Sequence, residues 1–210
     1  MRANLRLKFV VMEELLPLLN NYTLVLGSGS PRRKELLTGM GLHFEVRVSD
    51  VDESIDPHWP VMQVAERLAQ RKAEALLTNA TEKELVITAD TVVHINGELL
   101  NKPANEEEAL IMLHKLNGKT HEVFTGVCVA TKDWNESFTD RTEVTFTAMS
   151  EMELKHYIRV YAPFDKAGSY GAQDFIGLVG IAKLEGSYFN VMGLPTHRLY
   201  SVLRERFGKA

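Results

Sequence analysis

The opening of the recognisable fold constrains this chain more than any other stretch. Tyr22-Thr23-Leu24-Val25-Leu26 is a β-rich run that stops at Gly27-Ser28-Gly29-Ser30, and Pro31-Arg32-Arg33-Lys34-Glu35-Leu36-Leu37 follows at once. Serine before proline marks a helix start. Ser30 is predicted as the N-cap, and Pro31, which has no N–H to lose, as the first helical residue. Strand, glycine-rich turn and helix therefore follow one another, and such a turn presents unpaired N–H groups to an anion.

Beyond it, helices and strands mix without strict alternation. Residues 43–49 alternate as a strand through Phe44, Val46 and Val48, and 50–60 read as a loop with Asp52, Glu53 and Asp56. Val61, Val64, Ala65, Leu68, Ala75 and Leu76 give residues 61–77 a helical pattern. Residues 85–95 form a central strand, with Val86-Ile87-Thr88-Ala89 closing on Asp90; Asn96-Gly97 signals a hairpin returning through Glu98-Leu99-Leu100. Residues 105–116 are helical, their Glu106, Glu107 and Glu108 suited to the positive helix end. Two antiparallel strands, 123–131 and 138–148, precede a helix over 150–161 with Ser150 and Glu153 placed as a capping box. A strand near 181–184 and a helix near 195–207 close the chain. The predicted class is α/β, a mixed sheet with helices on its faces. One domain over 22–208 follows an N-terminal extension over 1–21.

Bulk properties exclude several classes. A net charge of −4 argues against a general nucleic-acid binder, which carries a basic excess, yet leaves room for a few cations to converge on a small anion. Cys128 is the single cysteine, in the apolar run Thr125-Gly126-Val127-Cys128-Val129, so no internal disulfide forms and a buried strand thiol is expected. No apolar stretch approaches the roughly 18–20 residues of a membrane span. The N-terminus is not read as an export signal, because Glu13 and Glu14 interrupt its apolar run, and Met12 is an alternative start.

Four groups carry candidate chemistry. In Ser28-Gly29-Ser30-Pro31-Arg32-Arg33, two guanidiniums beside a helix N-terminus make a polyphosphate cradle, although no Walker A lysine is present and a capped helix with solvated arginines reads equally well. Asp90, with Thr91, is placed to face a crevice and hold a metal or activate water, or else to make a local turn. Glu53 stands to complete a two-carboxylate site, or to solvate its acidic loop. Lys72, Lys102 and Lys166 are cations able to balance transition-state charge, or surface lysines. His121 lacks a zinc-spaced partner and is read as structural.

Taken together the segments resemble the Maf family of septum-formation-associated nucleotide pyrophosphatases. The blocks are Ser28-Gly29-Ser30-Pro31-Arg32-Arg33, Asp52-Glu53-Ser54, Ala69-Gln70-Arg71-Lys72-Ala73, Ala89-Asp90-Thr91-Val92-Val93 and Asn101-Lys102-Pro103. Gly118-Lys119-Thr120-His121, Thr125-Gly126-Val127, Asp165-Lys166-Ala167-Gly168-Ser169-Tyr170-Gly171-Ala172-Gln173 and Gly186-Ser187-Tyr188 to Gly193-Leu194-Pro195 continue them in order. The resemblance implies an elongated, two-lobed fold like that of the inosine triphosphatases, with a central cleft. It also implies a cytoplasmic hydrolase that cuts nucleoside triphosphates between the α- and β-phosphates with Mg²⁺ or Mn²⁺. It implies Asp90, Glu53, Lys72 and Lys102 as catalytic residues, and Glu53 and Asp90 as metal ligands. Ser28, Arg32, Arg33, Thr91 and Gln173 are implied to bind substrate. Arg32, Thr91 and Gln173 match the branch preferring dTTP and UTP, with modified pyrimidine nucleotides beside them and a house-cleaning role.

Three departures stand out: Gly27 for the usual alanine, Ala162-Pro163 for Glu-Pro, and Asp174 after Gln173 where glycine is common. No nucleic-acid or membrane partner is expected, and a homodimer is left open. So are two other readings: a non-catalytic nucleotide-binding regulator of cell division, and a pyrophosphatase for 7-methyl-GTP or for purines such as inosine triphosphate.

Overall fold

The structure is a computed structural model that describes Met12 and residues 14–208. The expectations about the start of the chain, over residues 1–11, lie outside the described residues. In chain order the elements are β1 (Thr23–Leu26), α1 (Pro31–Gly39), β2 (Glu45–Val46), α2 (Val61–Leu77), β3 (Glu84–Ile95), β4 (Glu98–Leu100) and α3 (Glu106–Leu116). β5 (Thr120–Ala130), β6 (Asn135–Phe146), α4 (Glu151–Tyr161), α5 (Phe175–Gly180), β7 (Ile181–Glu185), α6 (Tyr188–Val191) and α7 (Thr196–Phe207) follow.

Local sequence explains most boundaries. Asn105 accepts the Glu108 N–H at the start of α3, and Ser150 and Glu153 close a reciprocal capping box on α4. Asn96 and Gly97 both take positive φ, 51° and 83°, the turn that folds β4 back onto β3. Two expectations miss. The strand over 43–49 shrinks to the two-residue β2, with Val46 in it and Val48 beyond it both exposed. The short helices α5 and α6 were not anticipated, being too brief to display a helical period.

The seven strands make one mixed sheet in the order β2-β1-β3-β5-β6-β7, with β4 also on β3. β1 runs parallel to β2 and β3, and every other pairing is antiparallel. β5 occupies one edge of β3 continuously, from Val86 to His94. On the other edge β1 pairs only as far as Ile87 and β4 only from Val93. Residues 88–92 thus have no strand beside them on that side, and the sheet forks there.

Two apolar cores lie on either side of the fork. Leu85, Ile87 and Ala89 of β3 join the first, with Leu37 of α1 and Leu199 and Leu203 of α7. Val93 and Ile95, on the same face of β3, join the second with Leu113 of α3 and Leu154 and Tyr157 of α4. Thr91 is the polar residue between them on that face. The result is the expected two-lobed mixed fold with a central cleft. Leu16 and Leu19, from the N-terminal extension, are buried in the first core.

Helix α2 covers the opposite face of β3 and β5. It lies so close that a Cβ on Gly126 would stand 2.1 Å from the Glu66 nitrogen. Thr88 donates its hydroxyl to the Ala69 carbonyl at 2.6 Å and fixes the register of helix on strand.

Candidate active site

The fork opens into a cavity of about 520 Å³. Ser28, Arg32, Arg33, Glu53, Lys72, Asp90, Thr91, Lys102 and Gln173 all line it, so the structure gathers every site residue expected from the sequence. Arg32, Arg33, Lys72, Lys102 and Lys166 line it together with Glu53, Asp90 and Asp165. Cations are in excess locally although the chain as a whole is acidic.

Asp90 reaches this cavity differently from the sequence expectation. It does not close a strand; it sits in the middle of β3, a twelve-residue strand. The crevice it faces comes from the fork, not from a strand's carboxyl end. Its side chain points to the α2 face, where Lys72 waits. Lys72 is 8% exposed, and its Nζ donates to Asp90 Oδ1 at 2.5 Å and pairs with Glu53 Oε1 at 2.9 Å. One ammonium therefore joins a strand carboxylate to a loop carboxylate. Burial alone would raise the Glu53 carboxyl. The hydrogen bond and charge of Lys72, helped by the charges of Lys102 and Arg33, outweigh it and hold Glu53 below its ordinary value.

On the other face of β3, Thr91 anchors the turn. Arg33 donates from Nη2 to Thr91 Oγ1 at 3.1 Å, from Nη1 to Ser28 Oγ at 3.0 Å and from Nε to the Gly193 carbonyl at 2.8 Å. Burial pulls the guanidinium below its ordinary pKa, while the charge of Asp90 opposes that pull. Arg33 thus ties the turn, the central strand and the 186–193 loop together, leaving two of a guanidinium's five N–H donors for a ligand. Ser28 Oγ accepts from Arg33 and from the Ser30 N–H, so its own proton is free to donate into the cavity. Ser30 holds the N-cap position but makes no side-chain cap bond, which leaves the first N–H groups of α1 uncapped by it. Lys102 is exposed at the rim, with no ion-pair partner among the described residues.

Several contributors escaped sequence reasoning. Asp165, seen there only as part of a block, pairs with Arg32 at 2.9 Å and with Lys166 at 2.8 Å. Gly193, at φ 107°, supplies the carbonyl that orients Arg33, and fully buried Asn190 accepts the Thr125 hydroxyl through its backbone carbonyl. No local signal identifies the bonds of Arg32 to Asp165, Arg33 to Gly193 and Thr125 to Asn190, which join residues far apart in the chain. Gln173 has a buried side-chain oxygen, Oε1, with no hydrogen-bond partner among the described residues. Asp174, one of the departures, accepts from the Tyr157 hydroxyl at 2.9 Å, and Tyr157 in turn accepts the Gly171 N–H at 3.1 Å, steadying the loop that carries Gln173. His121 is buried against Phe146 and Tyr170, bonded to the Tyr170 hydroxyl at 2.7 Å. Burial lowers its pKa to about 4, which keeps it neutral and structural.

Among the described residues, no cluster of three or more His, Cys, Asp or Glu is arranged to hold a metal. Glu53 and Asp90 nevertheless fit Mg²⁺ or Mn²⁺. They are hard oxygen donors, of which such ions take one or two before completing their shell with water and phosphate oxygens, although the point on which Asp90 Oδ1 and Glu53 Oε1 converge is itself held by the Lys72 ammonium. No helix among the described residues is long and apolar enough to cross a membrane.

The chain is similar to known proteins over most of its length. A protein from Phocaeicola vulgatus named dTTP/UTP pyrophosphatase is 47% identical over 188 residues, covering 89% of this chain and 97% of that protein. One of the same name from Bacteroides thetaiotaomicron is 44% identical over 188 residues, with the same coverage. Among solved structures, a nucleoside-triphosphatase / dITP/XTP pyrophosphatase from Mycobacterium abscessus aligns at a TM-score of 0.42 with 11% identity, over 90% of this chain and 100% of that one. The family model described as Maf-like protein matches residues 23–206, and the chain belongs to that family.

Proposed function

We propose that this chain hydrolyses nucleoside triphosphates to the monophosphate and pyrophosphate, with dTTP and UTP as substrates and modified pyrimidine nucleotides beside them. The observation that carries the reading is Lys72 held between Asp90 and Glu53 beside the uncapped turn of α1. The similarity to dTTP/UTP pyrophosphatases supports the substrate.

The turn and the free Ser28 proton receive phosphate oxygens, as do the remaining donors of Arg33 and the unpaired Lys102. Thr91 keeps Arg33 in place. Asp90 Oδ1 is committed to Lys72, and Oδ2 accepts the proton of a water attacking the α-phosphorus in line. The bond from that phosphorus to the bridging oxygen breaks, and pyrophosphate leaves toward the lysines. A divalent cation held by Glu53 and Asp90 would supply further neutralisation of phosphate charge. Gln173 lines the cavity, and its amide carries both an acceptor and a donor for the base. Uracil and thymine present N–H beside carbonyl oxygen, the complementary pattern. An activity on the free nucleotide pool suits the cytoplasm.

Pyrophosphate release from dTTP, UTP, inosine triphosphate and 7-methyl-GTP, with Mg²⁺ or Mn²⁺, tests the reading. The two pyrimidine nucleotides are expected to be turned over. Asp90→Asn should abolish release while nucleotide still binds. Unchanged turnover in that variant rejects Asp90 as the proton acceptor, and a purine preference rejects the substrate assignment.

A further inference from the structure

Glu53 is useful to the site only if its loop holds it against Lys72, and that loop has no regular structure between β2 and α2. Two devices brace the tripeptide around it. The Asp52 carboxylate accepts the Ser54 N–H at 2.9 Å and the Ser54 hydroxyl at 2.7 Å, curling the backbone about Glu53. Arg71, next to Lys72 on α2, then donates one Nη1 to the carbonyls on both sides of Glu53, Ser54 at 2.9 Å and Asp52 at 3.4 Å. The Arg71 guanidinium lies 4.5 Å from the centroid of the Trp59 ring, and Trp59 packs on the apolar cluster of Val64, Leu68, Val92 and Phe124. Adjacent helix residues thus act on one loop from different sides. Lys72 takes the Glu53 side chain, and Arg71 takes its backbone.

We propose that Arg71, stacked on Trp59, is a positioning residue that sets the Glu53 carboxylate against Lys72 and Asp90. The inference rests on the hydrolytic reading above for its kinetic consequence, not for its geometry. Arginine suits the task where lysine does not, since a planar guanidinium stacks on the indole while its edge donates to carbonyls.

A double-mutant cycle in pyrophosphate release from dTTP, paired with hydrogen exchange of residues 50–60, decides the matter. Arg71→Ala should lower kcat by about tenfold or more and change KM less, the range typical of groups that orient a catalytic ligand. In a Glu53→Gln background, or Glu53→Asp if the first turns over too slowly to read, the same change should cost less than about twofold. Arg71→Lys, which keeps the charge, should retain most of the defect. Exchange of residues 50–60 should rise about tenfold in Arg71→Ala, with α2 and β3 unchanged. Equal losses in both backgrounds, a wild-type rate in Arg71→Lys, or unaltered exchange would each overturn the inference. A parent chain that releases no pyrophosphate defeats the hydrolytic reading instead, and the exchange data still judge the clamp.

Discussion

Replacing Lys72 with methionine keeps the length of the side chain and deletes its charge and its three N–H donors. In the parent, that ammonium is buried and bonded to Asp90 at 2.5 Å and to Glu53 at 2.9 Å. Two carboxylate oxygens gathered by one ammonium lie within about 5 Å of each other, where bare like charges repel by ~3 kcal/mol at an effective dielectric near ~20. The Glu53 side chain is 48% exposed, so water screens its share and the net penalty falls to about 2 kcal/mol. For a chain of this size that lowers the melting temperature by roughly 4–8 °C. Thermal and urea unfolding at pH 7 measure it. Lowering the pH should shrink the penalty, because without Lys72 burial raises the Glu53 carboxyl and its protonation relieves the repulsion. Adding Asp90→Asn to Lys72→Met should restore most of the stability, since one of the two charges is then gone. Pyrophosphate release should fall about 100-fold in Lys72→Met, the scale for removing a fixed charge from a reacting centre. A variant as stable as the parent at pH 7, or one destabilised further by Asp90→Asn, refutes the picture of two carboxylates restrained by one ammonium.

Three further outcomes follow from single positions. His121 has a folded pKa of about 4 against an ordinary 6.5, so the unfolded chain binds its proton first as pH falls. Its contribution of about 3 kcal/mol is present above pH 6.5 and is lost between there and pH 4; comparison with His121→Phe in urea titrations should isolate that slope. A Cβ at Gly27 would meet Thr88 Cγ2 at 2.5 Å and Leu76 Cδ1 at 2.6 Å, and Thr88 is pinned by its bond to Ala69. Gly27→Ala should therefore cost about 1–3 kcal/mol in urea unfolding, and a neutral result means the helix shifts freely. Ala162 ends α4 in the left-handed region at φ 42°, so Ala162→Gly should stabilise by up to about 1 kcal/mol; a lower melting temperature contradicts strain at that position.

Much of the chain was legible residue by residue. The proline after Ser30, the acidic first turn of α3, the Ser150 and Glu153 box and the Asn96-Gly97 turn all act within a few residues, so their sequence is their structure. The blocks marking the family likewise named residues that one cavity collects. Tertiary structure alone decided how the cavity arises. β1 and β4 share one edge of β3 and leave a gap beside Asp90, a consequence of pairing register that no local pattern encodes. The same holds for the bonds that shape the site. Arg33 reaches Thr91 and Gly193 across 58 and 160 residues, and Arg32 reaches Asp165 across 133. A hydrogen bond needs its partners about 3 Å apart, and over such separations only packing of the two lobes brings them there. Composition and motif thus determined which groups the chain has to work with. The sheet, the helix lying on it and the loop braced between them determined which of those groups touch.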